Sequence, residues 1–345
     1  VTQQIASPSA ARSRARSRAA RRPELNPAQS RALALGRLSR ALGRQALLAA
    51  LVALVITAVG MTAEIIGGAS WRFAALFWAP VGIVAGLVIG AVREISRNTV
   101  TTLSSFGKQR GFAILGAAPE LTPGVLRQLP PDKRSPIGCL AFWPASGFAT
   151  AFRDLQGSLP DRGVIAFIGS LPGEGATTTA LCAATSAAQQ GKSVIVIDCD
   201  LRFRKLTQAF GAEPAMGTLE ACETPESWDK FIGEEPETGL HFLPAARPQN
   251  PWRTMGPTLR PVLERLRRHY ELIVLDCPPA LESAEGALIG RMADRTVVVT
   301  AWDRTPLGAV RRTMRQLHTA SRPATTAIYV NRVPAGFRFG RVRGD

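Results

Sequence analysis

The stretch GVIAFIGSLPGEGATTTALCAATSAAQQG, residues 163–191, constrains the fold more than any other part of the chain. Its first seven residues are an uninterrupted apolar run, the pattern of a strand buried on both faces. A glycine-rich turn follows, and then a helix-forming run that stops at Gly191. Strand, glycine turn and helix in that order build a phosphate-binding loop. Gly173 and Gly175 let successive backbone N–H groups turn inward, and the helix N-terminus adds its partial positive charge. Thr177 stands where a hydroxyl would meet Mg²⁺. The position that carries lysine in such loops, between Gly175 and Thr177, is Ala176. The predicted nucleotide contacts are Gly173, Glu174, Gly175, Ala176, Thr177 and Thr178 of the loop, with Arg202 beyond it.

The alternation continues downstream. Strands are predicted at GVIAFIG, SVIVIDCD, LHFLPA, ELIVLDCPP, TVVVTAW and TAIYVN. Helices are predicted at TTTALCAATSAAQQ, NPWRTMGPTLRPVLERLRRH and PLGAVRRTMRQLHTA, with FATAFRDLQGSL before the first strand. Apolar strands separated by helices give an α/β fold with a parallel sheet covered on both faces. Ligands of such sheets bind beyond the carboxyl ends of the strands. The phosphate loop lies at one such end, Asp198 and Asp200 at a second, and Asp276 at a third. Acids placed there can hold Mg²⁺, directly or through water, or accept a hydroxyl proton. Asp198, Asp200 and Asp276 are therefore the candidate catalytic residues, and Thr177, Asp198 and Asp276 the candidate metal ligands.

The N-terminal part obeys different physics. Nineteen uncharged residues separate Arg44 from Glu64, and twenty separate Arg72 from Arg93. Each run is long enough to cross the hydrocarbon core as a helix, and the few residues between them predict a transmembrane hairpin. Ten arginines and one acid lie in residues 1–45, a stretch rich in Ala, Arg, Ser and Pro that predicts disorder. This charge places the N-terminus in the cytoplasm, and two crossings return the chain there. The formal charge of +16 suits nucleic acid in principle, but no aromatic residue interleaves the arginines, so nucleic-acid binding is not expected. Gly82, Gly86 and Gly90 repeat every four residues, a stripe that lets a second helix approach closely, either the first span or another copy. The five cysteines are scattered and the three histidines lack ligand spacing, which argues against disulfides and a zinc site. The predicted organisation is a basic tail (1–45), a transmembrane hairpin (46–92), a juxtamembrane connector (93–161) and a P-loop domain (162–345).

Taken in order, GSLPGEGATTTA, IVIDCDLR and IVLDCPP resemble the bacterial tyrosine kinases of the polysaccharide co-polymerase group, within the MinD-like P-loop ATPases. GFAILGAAP, FATAFRDLQGSL, LPAARPQNPWR and VNRV extend the resemblance over about residues 72–333. It implies an inner-membrane protein of exopolysaccharide or capsule synthesis and export. It also implies ATP with Mg²⁺ as cofactor, and autophosphorylation of a C-terminal tyrosine cluster coupled to ring assembly. Four departures stand out. The loop lysine is Ala176. The ExxRxxR pattern used between subunits reads Thr150, Arg153 and Gln156. The only tyrosines are Tyr270 and Tyr329. A few residues replace the large extracytoplasmic domain. The leading expectation is a membrane-anchored, kinase-like regulatory or scaffold component with weakened or lost activity. It would act in a homo-oligomer or with partner proteins of the export machinery. An active tyrosine kinase of another protein and a MinD-like positioning ATPase are the alternatives.

Overall fold

The computed structural model describes residues 49–68, 70–95, 99–100, 113–247, 255–318 and 326–334. The basic tail, the NPWR segment and the stretch after 334 lie outside the described residues. The chain divides into two compact units, Val1–Arg97 and Asn98–Asp345.

In the first unit, helix α1 (Ala49–Ile66) has a mean hydropathy of 2.2 and is long and apolar enough to cross a membrane. Helix α2 (Trp71–Ile95) spans 25 residues and contains Pro80. Its apolar stretch is the shorter Ala74–Ile89, about 24 Å at 1.5 Å per residue, against a hydrocarbon core of about 30 Å. Among the described residues, one helix therefore meets the length criterion where the sequence predicts two. Within the glycine stripe, Gly82 and Gly86 face α1. A Cβ on Gly82 would meet Thr57 Oγ1 at 2.5 Å and the Ala53 carbonyl at 2.6 Å, and one on Gly86 would strike the Ala49 carbonyl. Gly60 of α1 makes the reciprocal room for the Trp78 ring. The Thr57 hydroxyl donates to the Trp78 carbonyl at 3.3 Å. Leu54, Leu76 and Ile83 point outward and are 70%, 75% and 55% exposed, a lipid-like surface rather than a folded core.

The second unit is an eight-stranded sheet. Its strands are β1 (Ala113–Pro119), β2 (Gly163–Gly169), β3 (Val194–Asp198), β4 (Gly233–Glu235), β5 (Leu240–Leu243), β6 (Leu272–Cys277), β7 (Arg295–Ala301) and β8 (Thr326–Val333). They lie in the order β1-β8-β7-β2-β6-β3-β5-β4. All neighbours run parallel except the antiparallel β4–β5 pair at one edge. Side chains alternate between two cores. Val164, Ala166 and Ile168 join one and Ile165 and Phe167 the other, so both faces are covered. This is the P-loop NTPase-like architecture expected from the apolar runs. Two strands were not expected. β1 comes from the stretch read as a connector, and β4 is a three-residue edge strand. Of the helix predicted from residue 250, residues 250–254 lie outside the described residues, Gly256–Thr258 forms a 3-10 turn, and the regular helix is Leu259–Leu266, with Pro261 in its first turn where no intrahelical N–H is needed.

Candidate functional site

The site forms where β2, β3 and β6 end side by side. Parallel register sets Asp198 opposite Asp276 and Ile168 opposite Cys277. After β2 the chain turns through Gly173 (φ 79°) and Gly175 (φ 91°) and enters helix α4 (Ala176–Ala188). Glycine is required at both turns because other residues adopt that backbone only with strain. At Gly175 a side chain would also strike the Asn331 amide. Ala176 opens α4 and packs against the core cluster on that face.

Glu174 does not extend toward a ligand. Its carboxylate turns inward and is 4% exposed. One oxygen accepts from Ser170 N at 2.6 Å and Leu171 N at 3.1 Å. The other accepts from the Thr305 hydroxyl at 2.6 Å. Its backbone carbonyl accepts from Asn331 Nδ2 at 3.1 Å. Burial pushes the Glu174 pKa up, and these hydrogen bonds pull part of it back. Thr305 and Asn331 were not among the predicted site residues. They sit 131 and 157 positions away, and nothing local to the loop announces them.

The three aspartates have different surroundings. Asp276 is 1% exposed and neither carboxylate oxygen has a hydrogen-bond partner. Burial and then the Asp198 charge raise its pKa well above the carboxylate range. The Thr177 hydroxyl is close enough to offset part of that rise without completing a bond of normal geometry, and Lys205 offsets a little more. Asp198 is buried but satisfied. One oxygen accepts from Asp200 N at 3.1 Å; the other accepts from Thr207 N at 2.9 Å and the Thr207 hydroxyl at 2.6 Å. Burial still lifts its pKa to about 6. Asp200 closes a turn, accepting from the amides of Arg202 and Phe203 at 3.2 Å. Arg202 is exposed and lies over the Phe203 ring at 5.4 Å.

The orphaned oxygens of Asp276 test whether this place fits a cation. A buried carboxylate without partners is costly unless something positive completes it. Asp276 with the Thr177 hydroxyl fits Mg²⁺ brought by a nucleotide. Asp198 has both oxygens committed and fits it through water. Among the described residues, no three His, Cys, Asp or Glu side chains converge to hold a metal by themselves. All five cysteine thiols are buried and none forms a disulfide.

The helix before β2, α3 (Gly147–Gln156), carries the three positions of the subunit-contact pattern, of which Arg153 keeps the arginine and Thr150 and Gln156 depart. Arg153 bends back to the Pro144 carbonyl at 2.5 Å and the Thr150 hydroxyl at 2.9 Å. Gln156 is buried and donates to the Ala183 carbonyl of α4 at 2.6 Å.

Residues 162–323 match the AAA domain family. EpsB of Ralstonia solanacearum is 26% identical over 275 residues, covering 76% of this chain and 37% of that protein. The succinoglycan biosynthesis transport protein ExoP of Rhizobium meliloti is 30% identical over 181 residues, 49% of this chain and 23% of that protein. The tyrosine-protein kinase etk of Escherichia coli is 26% identical over 185 residues, 51% of this chain and 26% of that protein. The chain thus spans well under two thirds of the length of these relatives. Among solved structures, the kinase domain of Escherichia coli tyrosine kinase ETK superposes with a TM-score of 0.58 at 21% identity, covering 69% of this chain and 97% of that one. The BceF tyrosine kinase domain gives 0.56 at 23% identity, covering 68% and 100%. At that identity the superpositions speak to the fold.

Proposed function

We propose that this chain, which belongs to the bacterial tyrosine-kinase group of P-loop proteins, serves exopolysaccharide synthesis or export as a membrane-anchored, kinase-like regulatory or scaffold component with weakened or lost phosphoryl transfer. One observation carries the reading. The glycine turn, Thr177 and the strand-end acids are kept around Ala176, and the stretch 169–177 contains no lysine. A hydrogen bond from a charged donor contributes roughly 1.5–3 kcal/mol, so its loss weakens binding about ten- to a hundredfold. Phosphoryl transfer loses more, because stabilising charge is most of that catalysis. When bound, ATP would bring transferable phosphate and Mg²⁺ the charge to polarise it. The residues of this chain do the rest. The loop amides and the start of α4 would hold phosphate, Asp276 and Thr177 would hold the cation, and Asp198 would orient its water. Arg202, exposed at the rim, would approach the nucleotide from outside.

Both helices of the first unit are taken to cross the membrane, with the termini on the cytoplasmic side. The arginine-rich 1–45 supports that orientation. Partners are further copies of the chain or proteins of the export machinery. Arg153 and Gln156 are engaged within the domain, which favours contacts unlike those of a ring-forming kinase.

The test is equilibrium binding of Mg-ATP to the full chain in detergent micelles, beside Ala176→Lys. The lysine variant is expected to bind about ten- to a hundredfold tighter. Equal affinity of the two proteins, with robust tyrosine phosphorylation by the natural chain, would overturn the reading and leave an active kinase of another protein in its place.

A further inference from the structure

Parallel pairing brings the exit of β5 beside the exit of β3. There a residue outside the predicted site, Thr207, takes hold of Asp198. Thr207 lies in the short helix α5 (Lys205–Ala209) and is 0% exposed. Its hydroxyl accepts from Ala245 N at 2.8 Å and donates to Asp198 Oδ2 at 2.6 Å. An amide N–H can only donate, so Ala245 fixes the hydroxyl proton toward the carboxylate. Thr207 N donates to the same oxygen at 2.9 Å. Both lone-pair sites of Oδ2 are thereby filled, and Asp200 N takes one of those on Oδ1. Further bonds hold this frame. The buried Thr218 hydroxyl lies 2.9 Å from the Asp198 carbonyl, and Thr218 N donates to the Pro244 carbonyl at 2.8 Å. Arg204, 4% exposed, donates to the Ala245 carbonyl at 3.3 Å. Ala245 is thus tied through both its N–H and its C=O to the segment that follows Asp198. Asp276, opposite Asp198 in register, keeps both oxygens open.

We propose that Thr207 is a positioning residue that sets how Asp198 meets the cation of a nucleotide, and through Asp198 which cation the site prefers. The Thr207 hydroxyl withholds Oδ2 from ligation. The lone-pair site left on Oδ1 suffices to accept from a metal-bound water. Mg²⁺ gives up water reluctantly and is held by one or two carboxylates together with its waters, whereas Ca²⁺ takes about six to eight oxygens and binds carboxylates directly, often through both oxygens. A carboxylate with Oδ2 already occupied suits the first ion and denies the second a bidentate ligand. This inference rests on the nucleotide-site reading above.

Equilibrium binding of ATP to the full chain in detergent micelles, with Mg²⁺ and separately with Ca²⁺, gives the ratio of the two affinities. The ratio is measured in the natural chain and in Ala176→Lys, each with and without Thr207→Val or the smaller Thr207→Ala. It is expected to favour Mg²⁺, and to fall about tenfold when the hydroxyl is lost, the scale of one hydrogen bond to a charged group. A fold merely weakened by the substitution lowers both affinities alike and leaves the ratio in place. Thr207→Ser keeps the hydroxyl and is expected to restore the preference. Equal affinity with the two cations in the chains that retain Thr207 overturns the proposal without any Thr207 variant, and so does an unchanged ratio in a folded Thr207→Val or Thr207→Ala. Absence of ATP binding in every protein, Ala176→Lys included, overturns the nucleotide-site reading itself. Binding with an unchanged ratio leaves that reading standing and removes only the role of Thr207.

Discussion

Each time Asp276 ionises, its buried charge lacks a hydrogen-bond partner. Its folded pKa lies well above the usual value, and that of Asp198 reaches about 6 from 3.8. A raised folded pKa means that folding favours the protonated form. The resulting stability is fully present below about pH 4 and is lost as the pH rises through the folded values, past 6 for Asp198 and higher for Asp276. Asp276→Asn removes the larger part of that loss. It is expected to stabilise the metal-free protein by about 1–3 kcal/mol at pH 8, the desolvation penalty of one buried group, and to change little at pH 4. Thermal melts at the two pH values check this, and equal shifts would refute it. Adding Mg²⁺ with nucleotide should stabilise the natural chain more than the variant. Asp198 and Asp276 were legible in the sequence because each ends an apolar strand, and strand ends form the ligand edge of a parallel sheet. The inward turn of Glu174 was not legible, because it depends on Thr305 and Asn331, which only the folded sheet brings to the loop.

Among the elements, the hairpin answers a question that composition leaves open. The stripe of Gly82 and Gly86 is covered by α1, so close approach within one chain accounts for it. Filling that contact should force the helices apart. Gly60→Leu places a side chain where the Trp78 ring lies, an overpacking expected to cost about 1–3 kcal/mol. The indole would then turn outward, and quenching of tryptophan fluorescence by a brominated detergent should increase. Unchanged quenching would mean that the two helices do not pack through this seam in the membrane. The long apolar runs made most strands visible, since a strand buried on both faces has little else to be. β1 escaped because AILGAAP has one β-branched residue and carries Gly116 and Pro119, a composition that reads as a turn-rich link. β4 escaped because GEE has no apolar side to bury.

For the molecule as a whole, the acceptor question decides whether kinase chemistry could act on this chain itself. Its 345 residues hold two tyrosines, and the fold engages both. Tyr329 lies within β8 at 0% exposure, with its hydroxyl donating to the Ala151 carbonyl of α3 at 3.5 Å. Tyr270 is 9% exposed, its hydroxyl 2.6 Å from His241 Nδ1, and burial lifts its pKa to about 12. A kinase needs the phenol in its own site, so β8 would have to leave the sheet. Opening a central strand costs nearly the whole stability of a domain, about 5–15 kcal/mol, which leaves an accessible fraction of roughly 10⁻⁴ or less. Tyr270 lies two residues before β6 with its ring against the core, so its exposure requires this loop to detach and its hydroxyl to leave His241. The folded chain, incubated with Mg-ATP alone or with an active bacterial tyrosine kinase, is therefore expected to carry no phosphotyrosine by mass spectrometry. Phosphate on Tyr270, or on Tyr329 while β8 remains protected from hydrogen exchange, would contradict this burial argument. Its absence would support the proposed reading, in which the chain acts through its contacts and does not phosphorylate its own tyrosines.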